Sequence, residues 1–344
     1  MEKIGVALVG CGEIAELHAQ ALERSGMARL VATLDKDVTK AQTLANSYRA
    51  KVFTDLTTLL ENTEVEAIYI LTRHDSHAEI ALQALQAGKH VFCEKPLTLT
   101  LEEAKAVQRA VNSANSFLMV GFNHRWNPAV RWVRQWIEQK QTPIRSLQLT
   151  FATSHFLESW AGLAEEGGGV LVCLGSHALD LACVLVGETP NRLSAMTARL
   201  RLPHPYLDDT AGLLLQFPSG AIASLTIHDH AAPSYPNYYT TEPSRLVRAE
   251  IFGEGWTIII ENSNLIHLFE LEVRSKSFDT NDPLEILGIQ PENNHFLKCI
   301  PEGIQPSPDV SDGVRAVYLV TLAMQSAQTG CVQSVLYEDF MNSI

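Results

Sequence analysis

The chain has 344 residues, 46% hydrophobic and 19% charged, a mixture that excludes a disordered, fibrous or collagen-like protein and leaves room for two domains, each with its own core. Acidic residues outnumber basic ones by 39 to 26, so the formal net charge is −13 and no positive field draws a phosphodiester backbone or an anionic membrane. Neither nucleic acid nor membrane is expected as a partner.

The first residues carry one Lys and a short apolar run that Gly10 interrupts, which reads as a strand and not as a leader peptide. Over about 120 residues apolar runs then alternate with helical patterns, as they do in a parallel sheet. Strands are predicted at 4–9, 30–34, 51–53, 67–71, 90–93 and 117–120. A helix from His77 to Ala87 starts after Ser76 and stops at Gly88, and another follows Thr100, whose partner Glu103 completes a capping box. Beyond residue 122 the rhythm changes. A Trp-rich amphipathic helix at 128–139, a strand near 147–151 and a Gly-led apolar helix at 169–186 precede several strands in succession. Two pairs of those strands flank Pro218-Ser219-Gly220 and Gly253-Glu254-Gly255, which predicts antiparallel hairpins, and a last long helix is predicted at 313–328. The expected architecture is an α/β domain with a parallel sheet over 1–122 and an α+β domain with a large, mostly antiparallel sheet over 123–344. Helices cover one face of that second sheet. The other face needs a cover too, and a second copy of the chain is the usual one, so a homodimer or homotetramer is expected.

Six cysteines are scattered without a CxxC pair and read as free thiols of a reducing, cytoplasmic compartment. His177 and Asp180 interrupt the longest apolar stretch, which no membrane span would tolerate.

Gly10-Cys11-Gly12-Glu13-Ile14-Ala15 follows a strand directly and opens a helix, and Asp35 ends the next strand. This is the dinucleotide fingerprint in its required context, so the first domain is expected to be a Rossmann domain. Gly10 permits the tight turn, Gly12 lets backbone approach a pyrophosphate at a helix N-terminus, and Ala15 lets helix and strand pack closely. Asp35 can accept from ribose hydroxyls and repels a 2′-phosphate, which favours NAD over NADP, although Lys36 beside it works the other way.

His90-Val91-Phe92-Cys93-Glu94-Lys95-Pro96 places Glu94 and Lys95 at the carboxyl end of a buried strand, where open α/β sheets bind ligands. Lys95 there could orient a substrate hydroxyl or stabilise a developing alkoxide. With these residues the sequence resembles the glucose-fructose oxidoreductase/inositol dehydrogenase/MocA (Gfo/Idh/MocA) family. The resemblance rests on GCGEIA at 10–15, Thr72 through His77 followed by ALQAGKHVFCEKPL, GFNHRWNP at 121–128 and GGGVLVCLGSHALDL at 167–181. It implies NAD(P)-dependent hydride transfer between nicotinamide and a secondary alcohol or carbonyl of a sugar, polyol or related compound. Residue by residue it implies that Gly10, Gly12, Glu13, Ile14, Asp35 and Lys36 hold the cofactor, that Thr72 and His77 lie on its nicotinamide side, and that Glu94 and Lys95 form the EKP pair. Lys95 would then be the catalytic lysine and His177 the proton acceptor or donor for the substrate hydroxyl.

One position departs from the pattern. Many members carry an Asp four residues before the histidine, and Cys173 stands there instead, a thiol that cannot stabilise an imidazolium as a carboxylate would. Asp180, three residues after His177, is a weak replacement. Cys173 therefore keeps open a second reading, a catalytically silent homologue that binds NAD and a sugar as a sensor or accessory protein. A third is a redox-neutral lyase or glycosidase with tightly held NAD. Asn123, Arg125, Cys173 and Asp180 are the candidate substrate contacts. His228-Asp229-His230, even with His204 and His155, supplies no assured third ligand, and no metal is expected. Tyr235 to Tyr239 reads either as a loop that stacks on a sugar ring or as an oligomer contact.

Overall fold

The computed structural model describes residues 2–231, 245–261, 264–278 and 282–344. The chain divides into two compact units, one comprising Met1–Phe122 and Ile289–Val314, the other Asn123–Gly288 and Arg315–Ser343.

In the first unit β1 (Ile4–Val9), α1 (Glu13–Ser25), β2 (Ala28–Leu34), α2 (Val38–Tyr48), β3 (Lys51–Phe53), α3 (Leu56–Leu60), β4 (Ala67–Ile70), α4 (His77–Gln86), β5 (His90–Glu94), α5 (Leu101–Ser113) and β6 (Leu118–Gly121) alternate as the sequence pattern requires. The strands lie side by side in the order β3-β2-β1-β4-β5-β6, all parallel. Every residue of β1 and β4 is buried, the mark of a sheet covered on both faces. Asp37, Asp55 and Thr100 each cap a helix by accepting from its first turn, and Thr100 and Glu103 do so reciprocally.

Where the sequence pattern ran the second domain unbroken from 123 to 344, residues 289–314 instead complete the first unit. The helix Ile289–Glu302 lies on α1: Gln290 Nε2 donates to the Ala21 carbonyl at 3.1 Å, and Phe296 meets Tyr69 and Phe92 edge-on. The backbone N–H of Val120 donates to the Pro308 carbonyl. The apolar face that α1 and β4–β5 leave uncovered is what this helix buries.

The second unit holds α6 (Pro128–Lys140), β7 (Ile144–Thr153), α7 (Ser176–Val186), β8 (Arg192–Ala198), β9 (Thr210–Gln216), β10 (Ile222–His228), β11 (Arg245–Gly253), β12 (Trp256–Glu261), β13 (Leu265–Phe269), β14 (Val273–Ser277) and α8 (Pro283–Ile286). Numbering the returning helix α9, α10 (Val310–Thr329), β15 (Gln333–Ser334) and α11 (Tyr337–Met341) close the chain, and the division between the units falls inside α10. Among the described residues nine strands form one sheet in the order β14-β13-β12-β11-β7-β10-β9-β8-β15. The two predicted hairpins are present, and Gly220 and Gly255 take the positive φ that their turns demand. All neighbours are antiparallel except β7 and β10, which run parallel.

Burial alternates strictly along β9 and β10. Leu213, Leu215, Leu225 and Ile227 point inward, while Met196, Leu214 and Ile222 are exposed on the other face. The segment Leu171–Gly175 ahead of α7 is a π-helical turn, so the apolar helix read from 169 to 186 begins with a wider turn than its periodicity indicates. Among the described residues, no helix is long and apolar enough to cross a membrane.

Candidate active site

The β1–α1 turn is shaped for close approach. Gly10 adopts φ +92°, and a Cβ there would lie 2.5 Å from the Leu71 carbonyl oxygen, so no other residue fits. A Cβ at Gly12 would meet open space, and α1 starts at Glu13 without a side-chain cap, so this helix end faces outward through bare backbone. Asp35 stands beside it: Oδ2 accepts from the Cys11 backbone N–H at 2.7 Å and Oδ1 from that of Asp37 at 2.8 Å. One hydrogen bond on each oxygen leaves the carboxylate able to accept further ones from a diol. Lys36 next to it is exposed. Burial, and then the charge of Asp35, push the Cys11 thiol up to about 12, which makes it an inert lining group. This donor set fits a dinucleotide, with backbone N–H groups for a pyrophosphate and a carboxylate for ribose hydroxyls.

Glu94 and Lys95 leave the end of β5, half-buried, and the Lys95–Pro96 peptide is cis. Glu94 Oε1 lies 3.1 Å from His18 Nε2, and Oε2 accepts from the Lys95 backbone N–H at 3.2 Å. Gly121 on the adjacent β6 leaves room for this carboxylate, since a Cβ there would come within 3.1 Å of Oε1. Burial pulls the Glu94 proton affinity up, but the His18 hydrogen bond, with the charge of Lys95 and its backbone N–H, outweighs it and holds the carboxyl below its ordinary range.

Thr72 and His77, expected on the cofactor side, occupy different depths. Thr72 is part-exposed on the turn after β4, and its hydroxyl accepts from Ser76 at 2.7 Å. His77 is fully buried, with Nδ1 2.8 Å from the Pro96 carbonyl and Nε2 3.1 Å from that of Thr72. Its ring thus laces the turn after β4 to the turn after β5. Burial lowers its proton affinity and outweighs the two carbonyls, which favour the charged form.

In the second unit His177 sits in the first turn of α7 at 5% exposure, stacked 5.7 Å from Phe151 and met edge-on by His124 at 4.7 Å. Cys173 is buried within the π-helical turn four residues earlier. Asp180 is engaged by two arginines. Its carboxylate accepts from Arg125 Nε at 2.8 Å and from Arg125 Nη2, and Arg315 Nη2 lies 3.7 Å away. The two candidate substrate contacts Arg125 and Asp180 are therefore spent largely on each other. Asn123 donates its amide to the Leu287 carbonyl at 2.9 Å, which ties the start of this unit to the end of α8.

The His228-Asp229-His230 segment is structural. Asp229 is fully buried and accepts from the backbone N–H groups of Phe156 and Leu157 and from Arg201, while His230 pairs with Asp209 at 3.1 Å. Among the described residues no three His, Cys, Asp or Glu side chains are placed to hold a metal ion. Tyr235 to Tyr239 lies outside the described residues.

Sequence reasoning missed His18, His124, Glu292, Asn293 and Arg315. His18 carries one local signal, a polar residue on the Ala15-Ala19-Leu22 face of α1, and His124 lies within the GFNHRWNP stretch. The others are recognisable only through partners far away in the chain.

A parallel sheet with this Gly-rich turn and acid, followed by an α+β unit, defines the class of Rossmann-fold oxidoreductases. Residues 4–122 match the model of the oxidoreductase family with NAD-binding Rossmann fold, and residues 130–259 match that of the GFO/IDH/MocA C-terminal domain. The chain belongs to the Gfo/Idh/MocA oxidoreductase family. It is 28% identical over 331 residues to the inositol 2-dehydrogenase of Rhizobium meliloti, covering 93% of this chain and 95% of that one. Levoglucosan dehydrogenase of Pseudarthrobacter phenanthrenivorans is 26% identical, covering 95% and 97%. A solved levoglucosan dehydrogenase in complex with NADH and levoglucosan shares the fold with a TM-score of 0.88 at 23% identity, covering 97% of this chain and 100% of that one.

Proposed function

We propose that the protein is a dehydrogenase that oxidises a secondary alcohol of a sugar, polyol or sugar derivative to the carbonyl, or reduces the carbonyl, with NAD in preference to NADP. The observation that carries this reading is the Asp35 carboxylate beside the uncapped start of α1, joined to relatives named as dehydrogenases of inositol and levoglucosan. The backbone at Gly10, Gly12, Glu13 and Ile14 would hold the pyrophosphate, and Asp35 the ribose, with Lys36 at its side. Bound NAD supplies the hydride acceptor. His177 takes the hydroxyl proton, and Lys95 holds the substrate oxygen while negative charge develops on it. Thr72 would stand on the nicotinamide side, with Glu94 and His77 fixing the turns around it.

The experiment is a fluorescence titration of the purified protein with NADH and with NADPH, repeated on Asp35→Ala and Lys95→Ala, followed by a polyol and sugar screen for NADH formation. Tight NADH binding that Asp35→Ala weakens, together with turnover that Lys95→Ala abolishes, is the expected result. Absence of binding by either nucleotide would sink the reading.

Cys173 supports one rival, a silent NAD- and sugar-binding homologue, because no carboxylate stands at that position and Asp180 is taken by arginines. Cys173→Asp separates the two: a large gain in turnover on common polyols marks a decayed site, and no gain a retuned one.

Assembly as a homodimer or homotetramer belongs to the same proposal, supported by exposed Met196, Leu214 and Ile222 on the outer face of β8–β10. So does a cytoplasmic location, supported by six cysteines without a disulfide.

A further inference from the structure

Beneath the Glu94–Lys95 turn runs a row of buried polar groups that the reaction as read above does not use, all of them in the first unit. His18, on the inner face of α1, is fully buried and meets Tyr69 and Phe92 edge-on, at 5.6 and 5.0 Å between ring centres. Its Nδ1 faces the Asn293 amide, 3.0 Å from Nδ2 and 3.3 Å from Oδ1. The orientation of that amide is set elsewhere: Nδ2 donates to the Ile289 carbonyl at 2.7 Å, one turn earlier in α9, and a carbonyl accepts only from an N–H. The second hydrogen on Nδ2 then belongs to the nearer His18 Nδ1, which accepts it. The ring proton consequently sits on Nε2, 3.1 Å from Glu94 Oε1.

We propose that His18 is a positioning residue of the reaction: oriented by Asn293 in its Nε2–H tautomer, it clamps the Glu94 carboxylate, whose other oxygen holds the Lys95 backbone N–H, and so fixes the turn that carries Lys95. The inference rests on the reading of Lys95 as the group that holds the substrate oxygen. The logic is that of an oriented histidine, in which the partner of one ring nitrogen decides what the other can do.

The charges around Glu94 make the clamp consequential. His18 faces it from α1, Glu292 from α9 and His77 from α4, with Cys93 and Lys95 adjacent in the chain. Glu292 is fully buried, and neither of its carboxyl oxygens has a hydrogen-bond partner among the described residues. Burial first, and then the charge of Glu94, push its proton affinity well above the carboxylate range. One of the two neighbouring carboxyls thus keeps its proton and the other is ionised, and the His18 hydrogen bond selects Glu94 for ionisation. Without that donor Glu94 takes up a proton at higher pH, and the hold on Lys95 loosens.

Two variants and one spectrum test this on the full-length protein. Protein labelled with ¹⁵N-histidine, its His18 signals assigned by their loss in His18→Gln, is expected to show the Nε2–H tautomer at pH 8. An Nδ1–H tautomer or a doubly protonated ring would overturn the proposal. On whichever polyol the screen identifies, His18→Phe is expected to lower kcat about tenfold or more with little change in KM, and to move the acidic limb of the pH–rate profile upward. His18→Gln, whose amide N–H can still donate to Glu94, is expected to restore both. Equal loss in the two variants, or a profile that moves in neither, assigns His18 a packing role and overturns the proposal. If His18→Phe does not fold, the tautomer and the His18→Gln profile decide. If no polyol is oxidised, the proposed function fails while the spectrum still decides the clamp.

Discussion

Arg125 and Asp180 form a buried forked pair, with Arg125 Nε 2.8 Å from Asp180 Oδ2 and the second guanidinium nitrogen on Oδ1. The pair joins the turn after β6 to the middle of α7, three residues past His177. It ties α7, the helix that carries the histidine, to the turn that carries Arg125.

Removing one partner of such a pair strands a buried charge. Asp180→Ala is expected to destabilise the protein by about 3–5 kcal/mol, since two guanidinium groups lose their counter-charge. Arg125→Ala should cost less, because Arg315, 3.7 Å from the same carboxylate, partly replaces it. Urea denaturation of both variants checks the order. An Asp180→Ala protein as stable as the parent would show that the pair does not hold α7.

Asp209 gives the fold a defined acid limit. Burial raises its proton affinity, but the backbone N–H groups of Leu202, Arg201 and Leu200, with the Thr210 hydroxyl, overcome this and lower its pKa from 3.8 to about 2. A carboxyl depressed on folding stabilises the native state fully above its unfolded value and loses that contribution as pH falls through the folded one. The contribution is about 2 kcal/mol above pH 4 and vanishes below pH 2. The stability gap between the parent and Asp209→Asn is therefore expected to narrow steadily from pH 5 to pH 2. A constant gap in denaturation midpoints over that range would contradict the assignment.

Thiol reactivity separates the six cysteines. Cys331 is exposed, whereas Cys93, Cys173, Cys183 and Cys299 are buried, and burial followed by the charge of Asp35 suppresses the Cys11 thiolate. At pH 7.5 a chromogenic disulfide reagent is expected to label one thiol fast, with the rest reacting on unfolding. Cys331→Ser should remove the fast phase. If that phase persists, Cys11 or a buried thiol is more open than its surroundings imply.

What the sequence revealed and what it hid divide by chain separation. The β1–α1 turn, the Thr100–Glu103 capping box and both hairpins involve residues a few positions apart, so their spacing alone announces them. The parallel pairing of β7 with β10 joins segments about 75 residues apart, and no local pattern distinguishes it from an antiparallel neighbour. The site follows the same rule. Gly10, Gly12 and Asp35 belong to one motif and were legible. The partner of Asp180 stands 55 positions upstream, that of Glu94 is 76 positions upstream on α1, and Asn293 is 275 positions beyond His18. That the Gly-rich turn opens a helix was legible, but a histidine on the inner face of that helix does not disclose which charge it meets.

The return of residues 289–314 to the first unit also governs how the chain is born. At ribosomal speeds of about 5–20 residues per second, on the order of 10 to 40 s separate the release of β6 from that of α9. Throughout that interval the inner face of α1 and the rings of Tyr69 and Phe92 await the helix that covers them. The strands of the dinucleotide sheet are all synthesised well before the helix that completes their unit. A nascent chain halted before residue 289 thus carries an open apolar surface, a ready target for chaperones and proteases, and the fingerprint at its N-terminus gives no sign of it.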